Sequence, residues 1–527
     1  MKLLASLMAR LRRDTRGNVM MITALAMFPT IFALGLSIDY ARAMMLKTKM
    51  SAAADAAALA ATDSFYIQKS GSAAQAAAKQ VFNAQVASFQ SKTYNPNTDV
   101  SISVVDQGGL NLGRTVTVKF RALSLNIFSG ILGVTSLKVS GSSVAYATQA
   151  PHINFFLVMD KSPSMLLPAT STGLNNIRAA TGCAFACHAQ LPKSDGINVR
   201  DLSGRDVFID PNFYTSGNSG YGVWYRIDQG GKVLYDKTGT KMGTNVSISA
   251  SGSLSTISYK DLSNKNKSVT GYYADGYWLT HNYTTIYTTA SPITLRVQEE
   301  TQAAKDLIPY SQTQAARNNV TYKLQFFSFD WTHTGKSSPV VQHSTMTDVN
   351  SLTSANVPDL DSTQDWWYAN NSPTSTLNIG DKATEFNNML LSMSSAMPNP
   401  GDGASSTSPQ EVMMIVTDGV VDEQINGGRR NRELSATNLT NCTAIKNRGI
   451  KIAILYTEYL PESLTGDSWS QTNVAPYLPN VLPALKSCAS TAADGSPLVY
   501  TVTADQSIST ALSALFALTV QSARLIK

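Results

Sequence analysis

The sequence predicts an α/β protein in which a transmembrane helix and a small α+β region precede a doubly wound parallel sheet with a β-rich insertion. The first observation is an uncharged run of twenty residues, 19–38, about the length of a helix that spans a bilayer. The second is a pair of apolar runs, 152–160 and 411–418, which each end in an aspartate. Buried parallel strands with functional residues at their carboxyl ends have this pattern. The third is the alternation of strand-like and helix-like segments in the second half of the chain, which indicates a parallel sheet.

The composition excludes several classes of protein. The chain has 527 residues, enough for about three or four domains, and its 43% hydrophobic content excludes a mostly disordered chain. Charged residues make up 15%, against about 25% in an average soluble protein, and this low share favours an exported protein. The net charge of +6 is small for the length and forms no long basic stripe, so no nucleic-acid partner is predicted.

The uncharged run has a basic N-terminal flank. One acid accompanies five basic residues there: Lys2, Arg10, Arg12, Arg13 and Arg16. By the positive-inside rule, residues 1–18 are a cytoplasmic tail, 19–38 is a single membrane span, and the C-terminal bulk is exported. A cleaved signal peptide is the alternative, but its apolar region is usually only about 7–15 residues long, so an uncleaved anchor is favoured.

Residues 39–150 are expected to form a long helix followed by a small sheet. The Ala-rich stretch 51–62 (SAAADAAALAAT) favours continuation of the helix, because alanine is the best helix former. The runs VSISVV, TVTVKFRAL and LKVSGSSVAYAT then alternate with the period of two typical of strands. This plan resembles that of pilins and pseudopilins.

Residues 12–61 resemble the N-terminal segment of TadE/TadG-like proteins, which belong to the bacterial tight-adherence (Flp) pilus assembly machinery. The resemblance is carried by an Arg-Gly pair, the apolar span, Asp39-Tyr40 and an Ala-Asp-Ala-Ala stretch, in that order. It implies a bacterial inner (cytoplasmic) membrane protein, single-pass, with lipid around its one helix. Prepilin-type sites carry a Glu five residues after the cleaved Gly, whereas the position counted from Gly17 is Ile22. The anchor is therefore expected to stay uncleaved.

The first acid-ended run continues as Asp160-x-Ser162-x-Ser164. One carboxylate and two hydroxyls at alternate positions of a turning loop can converge on a hard cation, since ions such as Mg²⁺ prefer oxygen ligands. The alternative interpretation is an Asp/Ser turn that caps a helix. The second run ends in Asp418, which Gly419 follows.

Together, strand-Asp-x-Ser-x-Ser and strand-Thr-Asp-Gly resemble the signature of the von Willebrand factor A fold, over residues 152–187 and 293–527. The resemblance implies a Rossmann-type domain with a metal-ion-dependent adhesion site, whose ion is Mg²⁺ or another divalent cation such as Mn²⁺ or Ca²⁺. Residues 380–391 (GDKATEFNNMLL) resemble the loop that supplies the family's Thr, with Asp381 as a competing oxygen donor. The implied metal-binding residues are Asp160, Ser162, Ser164, Thr384 and Asp418. Because TadG-like proteins combine both segments, the two resemblances indicate one family.

Residues 151–527 are assigned to this domain. Apolar patterns predict helices over 293–318, 436–447 and 508–526, and strands over 321–330, 450–460 and 498–504. Residues 190–292 interrupt the alternation as a β-rich insertion that contains ten of the 21 Tyr residues. Its segment GYYADGYW (271–278) is either an aromatic binding face or ordinary strand packing, in which aromatic residues are also enriched.

The four cysteines are expected to form two disulfides in an exported domain. Cys183, Cys187 and His188 form C-A-F-A-C-H, which has one residue too many between the cysteines for the usual haem motif, so a local disulfide is preferred. Cys442 lies on the predicted helix after the Asp418 strand and Cys488 near the end of the next one. Consecutive helices pack side by side, so these two can pair, although four cysteines allow three connectivities.

The sequence contains none of the usual catalytic motifs, such as G-x-S-x-G, H-E-x-x-H or a Gly-rich phosphate loop. The expected function is that of a non-enzymatic, membrane-anchored component of tight-adherence pilus assembly. Its partners would be other pilus-assembly components or an adhesion target, with an acidic side chain of the partner completing the metal shell. The alternative is a surface adhesin or matrix-binding protein unrelated to pilus assembly.

Overall fold

The computed structural model divides the chain into two compact units, Met1–Gln149 and Ala150–Lys527. The residues that the structure describes are 16–63, 65–67, 69–89, 92–107, 113–148, 150–184, 197, 199–209, 223–251, 254–288, 291–332, 336–361, 382–425, 428–459, 461–465, 468–492 and 494–522.

The first unit packs two helices on a four-stranded antiparallel sheet. Its elements are α1 (Arg16–Ala61), α2 (Gly71–Ala87), β1 (Lys92–Thr93), β2 (Val100–Gln107), β3 (Gly113–Leu125) and β4 (Ser136–Thr148). The sheet order is β1-β3-β2, and β4 pairs with β3. The C-terminal part of α1 buries alanines such as Ala53 and Ala57 against Phe82, Val118 and Phe120. Small alanine side chains allow the helix to lie close to its neighbours.

The N-terminal part of α1 is apolar and exposed. Among the described residues, one helical segment is long and apolar enough to cross a membrane, Met20–Ala61 in α1. Only 6% of the most apolar stretch of this segment is buried. Large apolar side chains such as Met20, Leu25, Phe28 and Leu34 are all more than half exposed. The predicted N-terminal apolar helix is therefore present.

The second unit is built on a seven-stranded sheet. Its strands are β5 (Ile153–Asp160), β12 (Tyr322–Phe329), β13 (Val340–Gln342), β14 (Thr347–Asp348), β15 (Gln410–Thr417), β18 (Lys451–Thr457) and β19 (Val499–Val502). The order is β13-β12-β5-β15-β18-β19, with β14 beside β12. Strands β12, β5, β15, β18 and β19 are parallel, whereas β13 and β14 pair antiparallel to β12. The predicted parallel sheet in a mixed α/β unit is thus confirmed.

Helices cover both faces of this sheet. They are α3 (Ser171–Thr181), α4 (Gly276–Ile286), α5 (Arg296–Asn318), α6 (Phe386–Ala396), α7 (Ala436–Asn447), α8 (Ser468–Asn473), α9 (Leu478–Cys488) and α10 (Ile508–Ser522). All eight residues of β5 are buried, and alternate residues enter different cores. Phe155 and Leu157 pack in the core that includes α5 and α10, whereas Phe156 and Val158 pack in the core that includes α6, α7 and α9. Burial on both sides explains the continuous apolar run.

A closed antiparallel barrel lies between α3 and α4 in the sequence. Its strands are β6 (Asp206–Ile209), β7 (Trp224–Asp228), β8 (Val233–Asp236), β9 (Lys241–Ser251), β10 (Leu254–Asp261) and β11 (Asn266–Tyr273). A short hairpin, β16 (Val421–Ile425) and β17 (Gly428–Arg432), follows β15.

In the GYYADGYW segment, Asp275 caps α4 by accepting a hydrogen bond from the Trp278 N–H at 2.8 Å. Trp278 is fully buried with its ring centroid 5.5 Å from that of Trp224, so this ring serves packing.

Helices α7 and α9 are joined by a disulfide. The Sγ atoms of Cys442 and Cys488 are 2.06 Å apart, and both residues are fully buried. This is the pairing expected from the order of the two helices. The other expected pair includes Cys187, which lies outside the described residues together with His188.

Candidate metal-binding site

The two acid-ended strands are neighbours in the parallel sheet. Strand β15 pairs with β5 along its length, and Val416 lies opposite Met159. Asp160 is the last residue of β5, and Asp418 follows the last residue of β15. Both aspartates are fully buried. The carboxyl ends of these strands therefore place two carboxylates at one edge of the sheet, where ligands of open α/β sheets bind.

Short hydrogen bonds connect most of the predicted residues into one cluster. Asp160 Oδ1 accepts the Ser162 N–H at 2.9 Å, and its Oδ2 accepts the Thr417 hydroxyl at 2.6 Å. The Ser162 and Ser164 hydroxyl oxygens are 2.9 Å apart, and the Ser164 hydroxyl lowers the pKa of Asp418. The cluster thus includes Thr417, to which the sequence analysis assigned no role although it belongs to the Thr-Asp-Gly motif.

The loop after β15 fixes one oxygen of Asp418 and leaves the other without a hydrogen bond. Asp418 Oδ1 accepts the Val420 N–H at 3.1 Å. Gly419 allows this turn through a φ of +71°, and a Cβ there would come within 2.7 Å of Leu485. Among the described residues, Asp418 Oδ2 has no hydrogen-bond partner. A buried carboxylate oxygen without a partner requires an explanation, and a bound ligand would supply one.

The backbone of Thr384 pairs with the segment that follows Asp418. Its N–H donates to the Asp422 carbonyl at 3.0 Å, and the Asp422 N–H donates to its carbonyl at 3.1 Å. Asp422 is on β16, four residues after Asp418. Within the described chain, the Thr384 hydroxyl forms no hydrogen bond with the other four predicted residues, although Thr384 is only 2% exposed. Asp381, the competing donor, lies outside the described residues.

Two charged residues of α5 that no sequence motif indicates also lie near the aspartates. Arg296, which is buried, donates to the Glu458 carbonyl at 2.7 Å. Glu300 is fully buried, and neither of its carboxylate oxygens has a hydrogen-bond partner among the described residues. The charge of Asp418 acts on both side chains. No sequence motif indicates either residue, because their burial depends on which side of α5 faces the sheet.

Burial determines the electrostatics of the site. Burial raises the pKa of Asp160, and the charge of Asp418 raises it further, while hydrogen bonds from Ser162 and Thr417 oppose the shift. Burial also raises the pKa of Asp418, against the effects of Ser164, Val420 and Arg296. Burial raises the pKa of Glu300 well above its usual range, with a contribution from Asp160. Three carboxyl groups are thus buried close enough to interact, and only Asp418 of the three also interacts with Arg296. Bound positive charge would stabilise their ionised forms.

The oxygen donors fit a hard divalent cation. Carboxylates and hydroxyls are the ligand types that Mg²⁺ prefers, and Mg²⁺ usually keeps several waters. The described residues contain no group of three or more His, Cys, Asp or Glu side chains arranged to hold a metal ion. A cation here would therefore depend on the two aspartates, on serine hydroxyls and on water.

We expect the metal-free protein to lose stability as the pH rises from about 4 towards neutrality. An acid with a raised folded-state pKa keeps its proton in the folded state while the unfolded chain has released it, so the free energy of unfolding falls through this range. One pKa unit corresponds to about 1.4 kcal/mol. Urea denaturation in EDTA at several pH values measures the slope.

The matched comparison for this prediction is Asp160→Asn, which removes one titrating group and keeps the shape. Burial also raises the pKa values of Glu411 and Glu423 to about 7, but both residues remain in the variant. The difference between the two slopes therefore isolates the aspartate cluster. Equal slopes for wild type and Asp160→Asn would contradict the raised pKa.

Comparison with known proteins gives a family match in the N-terminal region. Residues 17–80 match the family model described as "Putative Flp pilus-assembly TadE/G-like". No curated protein matches the chain. Two crystal structures of the pilus adhesin SpaC from Lactobacillus rhamnosus GG, one in an open conformation, are similar at 10% identity and a TM-score of 0.30. Each match covers 82% of this chain but only 35% of the SpaC chain. The family match associates residues 17–80 with Flp pilus assembly, as their resemblance to TadE/TadG-like proteins predicts.

Proposed function

We propose that this chain is a non-enzymatic, membrane-anchored component of bacterial Flp pilus assembly. In this proposal it is TadG-like, and its second unit is a von Willebrand factor A-like domain that binds an acidic group of a protein partner through a divalent cation. The observation that carries the proposal is the buried cluster of Asp160, Ser162, Ser164 and Asp418 at the carboxyl end of a parallel sheet. The TadE/G-like match of residues 17–80 supplies the pilus context.

Each residue of the cluster has a separate task in this proposal. Asp160 and Asp418 supply carboxylate oxygens, and Ser162 and Ser164 supply hydroxyl oxygens. The Thr417 hydroxyl and the Ser162 N–H hold Asp160 in one orientation, and the Val420 N–H holds Asp418. Thr384 is the fifth proposed ligand. When bound, Mg²⁺, Mn²⁺ or Ca²⁺ would supply positive charge and coordination positions that an outside carboxylate can fill.

The donor set favours binding over catalysis. The two aspartates supply the only charged ligands, and neutral hydroxyls and water complete the coordination shell. An acidic side chain of a partner could therefore replace a water molecule on the ion. The exposed apolar part of α1 supports a membrane span at 19–38. The basic residues before the span support the proposed orientation, with residues 1–18 in the cytoplasm and the remainder outside it.

A chromosomal substitution tests this function. In the bacterium that encodes the protein, Asp418→Asn should abolish surface Flp pili, because it removes one metal-binding charge without changing side-chain size. Asp494→Asn is the matched control, since Asp494 is exposed in the turn before β19, at the amino end of the parallel strands. Pili would be counted by electron microscopy, with protein level checked by immunoblot.

Normal pili in the Asp418→Asn strain, at wild-type protein level, would contradict the metal-dependent role in assembly. Normal pili combined with a loss of surface attachment would support the adhesin alternative. Loss of pili in both strains would indicate a non-specific defect and would also count against the proposal.

A further inference from the structure

The loop between β3 and β4, residues 126–135, is attached to α1 where the apolar span ends. The Asp39 carboxylate directly follows the span 19–38 and is 1% exposed. It accepts the N–H groups of Ile127, Phe128 and Ser129 at 2.9, 3.0 and 2.7 Å, and the Ser129 hydroxyl at 2.8 Å. Four hydrogen bonds to one buried carboxylate hold the loop beside Asp39, at the end of the apolar span.

The same loop also packs on the span itself. A Cβ on Gly35 would lie 2.6 Å from the Phe128 Cβ, so Phe128 rests directly on the glycine. Gly35 precedes Asp39 by four residues, or about 6 Å along the helix axis. Phe128 is therefore at the level of the last turn of the apolar span and not beyond it.

The outer surface of the loop is apolar. Ile127, Ile131 and Val134 are 59%, 75% and 48% exposed. Residues 122–137 contain no charged side chain. On the neighbouring surface of α1, Leu34 and Ile38 are also exposed. Together these side chains form one apolar surface that is continuous with the span, which is unusual for a protein surface in water.

We propose that the loop 126–135 inserts into the lipid bilayer that α1 crosses, in the leaflet on the side of the C-terminal bulk. This inference rests on the membrane crossing proposed above. Lipid is the occupant favoured by the structure, because the apolar surface of the loop continues that of the span and Phe128 lies at the span's depth. Asp39 tolerates this position since all its hydrogen bonds come from the protein. Unit 1 then contacts lipid through a helix and a loop, which restricts rotation of the helix about its axis.

Photocrosslinking of the full-length protein tests this inference. The photoreactive residue p-benzoylphenylalanine would replace Ile131, Leu34 or Val144 in separate variants, reconstituted in vesicles of phosphatidylethanolamine and phosphatidylglycerol. Leu34 lies inside the span, and Val144 is a 62% exposed residue of the same sheet, further along β4. We expect lipid adducts at 131 and 34 with similar yield, and about ten-fold less at 144, since only apolar surface at membrane depth contacts acyl chains. Mass spectrometry of the illuminated protein measures the adducts.

Lipid adducts at 34 without adducts at 131 would overturn the loop insertion and leave the membrane crossing intact. Missing adducts at both positions would overturn the crossing and the loop insertion together. The same variants illuminated in native membranes separate lipid from protein. If position 131 there crosslinks to protein and to no lipid, the apolar surface is a protein interface and the inference fails.

Discussion

Replacing Cys442 and Cys488 together by alanine is expected to lower the free energy of unfolding by about 4–5 kcal/mol. The disulfide joins residues separated by 46 positions, and the loss of loop-closure entropy in the unfolded chain gives about 4 kcal/mol for a loop of this length. Both cysteines are fully buried between α7 and α9, so the alanines also lose packing contacts. Urea denaturation of the oxidised full-length protein in detergent measures the difference.

Reduction provides the control for this prediction. A thiol reductant should destabilise the wild type by more than the double variant, in which only the expected local Cys183–Cys187 pair remains to be reduced. A loss below about 1 kcal/mol in the double variant would show that the cross-link contributes little, contrary to the loop-closure argument. Helix α9 also packs on Gly419 through Val481 and Leu485. A large loss of stability should therefore also make the loop after Asp418 more mobile.

The second large effect concerns Asp160→Asn, which is expected to abolish the stabilisation of the protein by Mg²⁺. An ion that binds only the folded state stabilises it by about 2.7 kcal/mol at a concentration of one hundred times Kd. The asparagine carbonyl keeps an acceptor for the Ser162 N–H, and its amide group can donate to the Thr417 hydroxyl oxygen, but the charge is removed. It also removes a buried carboxylate that repels Asp418, so we expect stability in EDTA to be retained.

Thermal denaturation with and without Mg²⁺ measures this effect. Wild type and the control Asp494→Asn should both show a rise in Tm with Mg²⁺, and Asp160→Asn should show none. An equal rise in all three proteins would mean that Mg²⁺ stabilises the chain elsewhere. A strong loss of stability of Asp160→Asn in EDTA would indicate that the carboxylate serves the fold itself.

The edge of the sheet that carries the aspartates was predictable from local sequence. A buried parallel strand has a continuous apolar run, and an aspartate at its end interrupts that run visibly. Parallel pairing then brings the ends of β5 and β15 together. The Cys442–Cys488 pair was predictable for a similar reason, because the helices before and after β18 pack in the same core.

Other parts of the site depend on contacts that sequence patterns do not contain. A glutamate inside a helix is normally taken as solvent-exposed, so Glu300 gives no sign of its burial beside Asp160. The position of the Thr384 hydroxyl depends on how the loop that contains Thr384 pairs with Asp422. Asp39 is visible as part of a motif, but its partners Ile127 and Ser129 are 88 and 90 residues away. Such distant pairings are decided by tertiary packing.

A divalent cation site at Asp160 and Asp418 can be tested by counting the Mn²⁺ ions that the protein binds. Mn²⁺ would be titrated into the full-length protein in detergent, and free Mn²⁺ would be followed by electron paramagnetic resonance. We expect one site per chain in the wild type, displacement of Mn²⁺ by Mg²⁺, and no such site in Asp160→Asn. Equal uptake by wild type and Asp160→Asn, or no uptake by the wild type at millimolar Mn²⁺, would contradict this expectation.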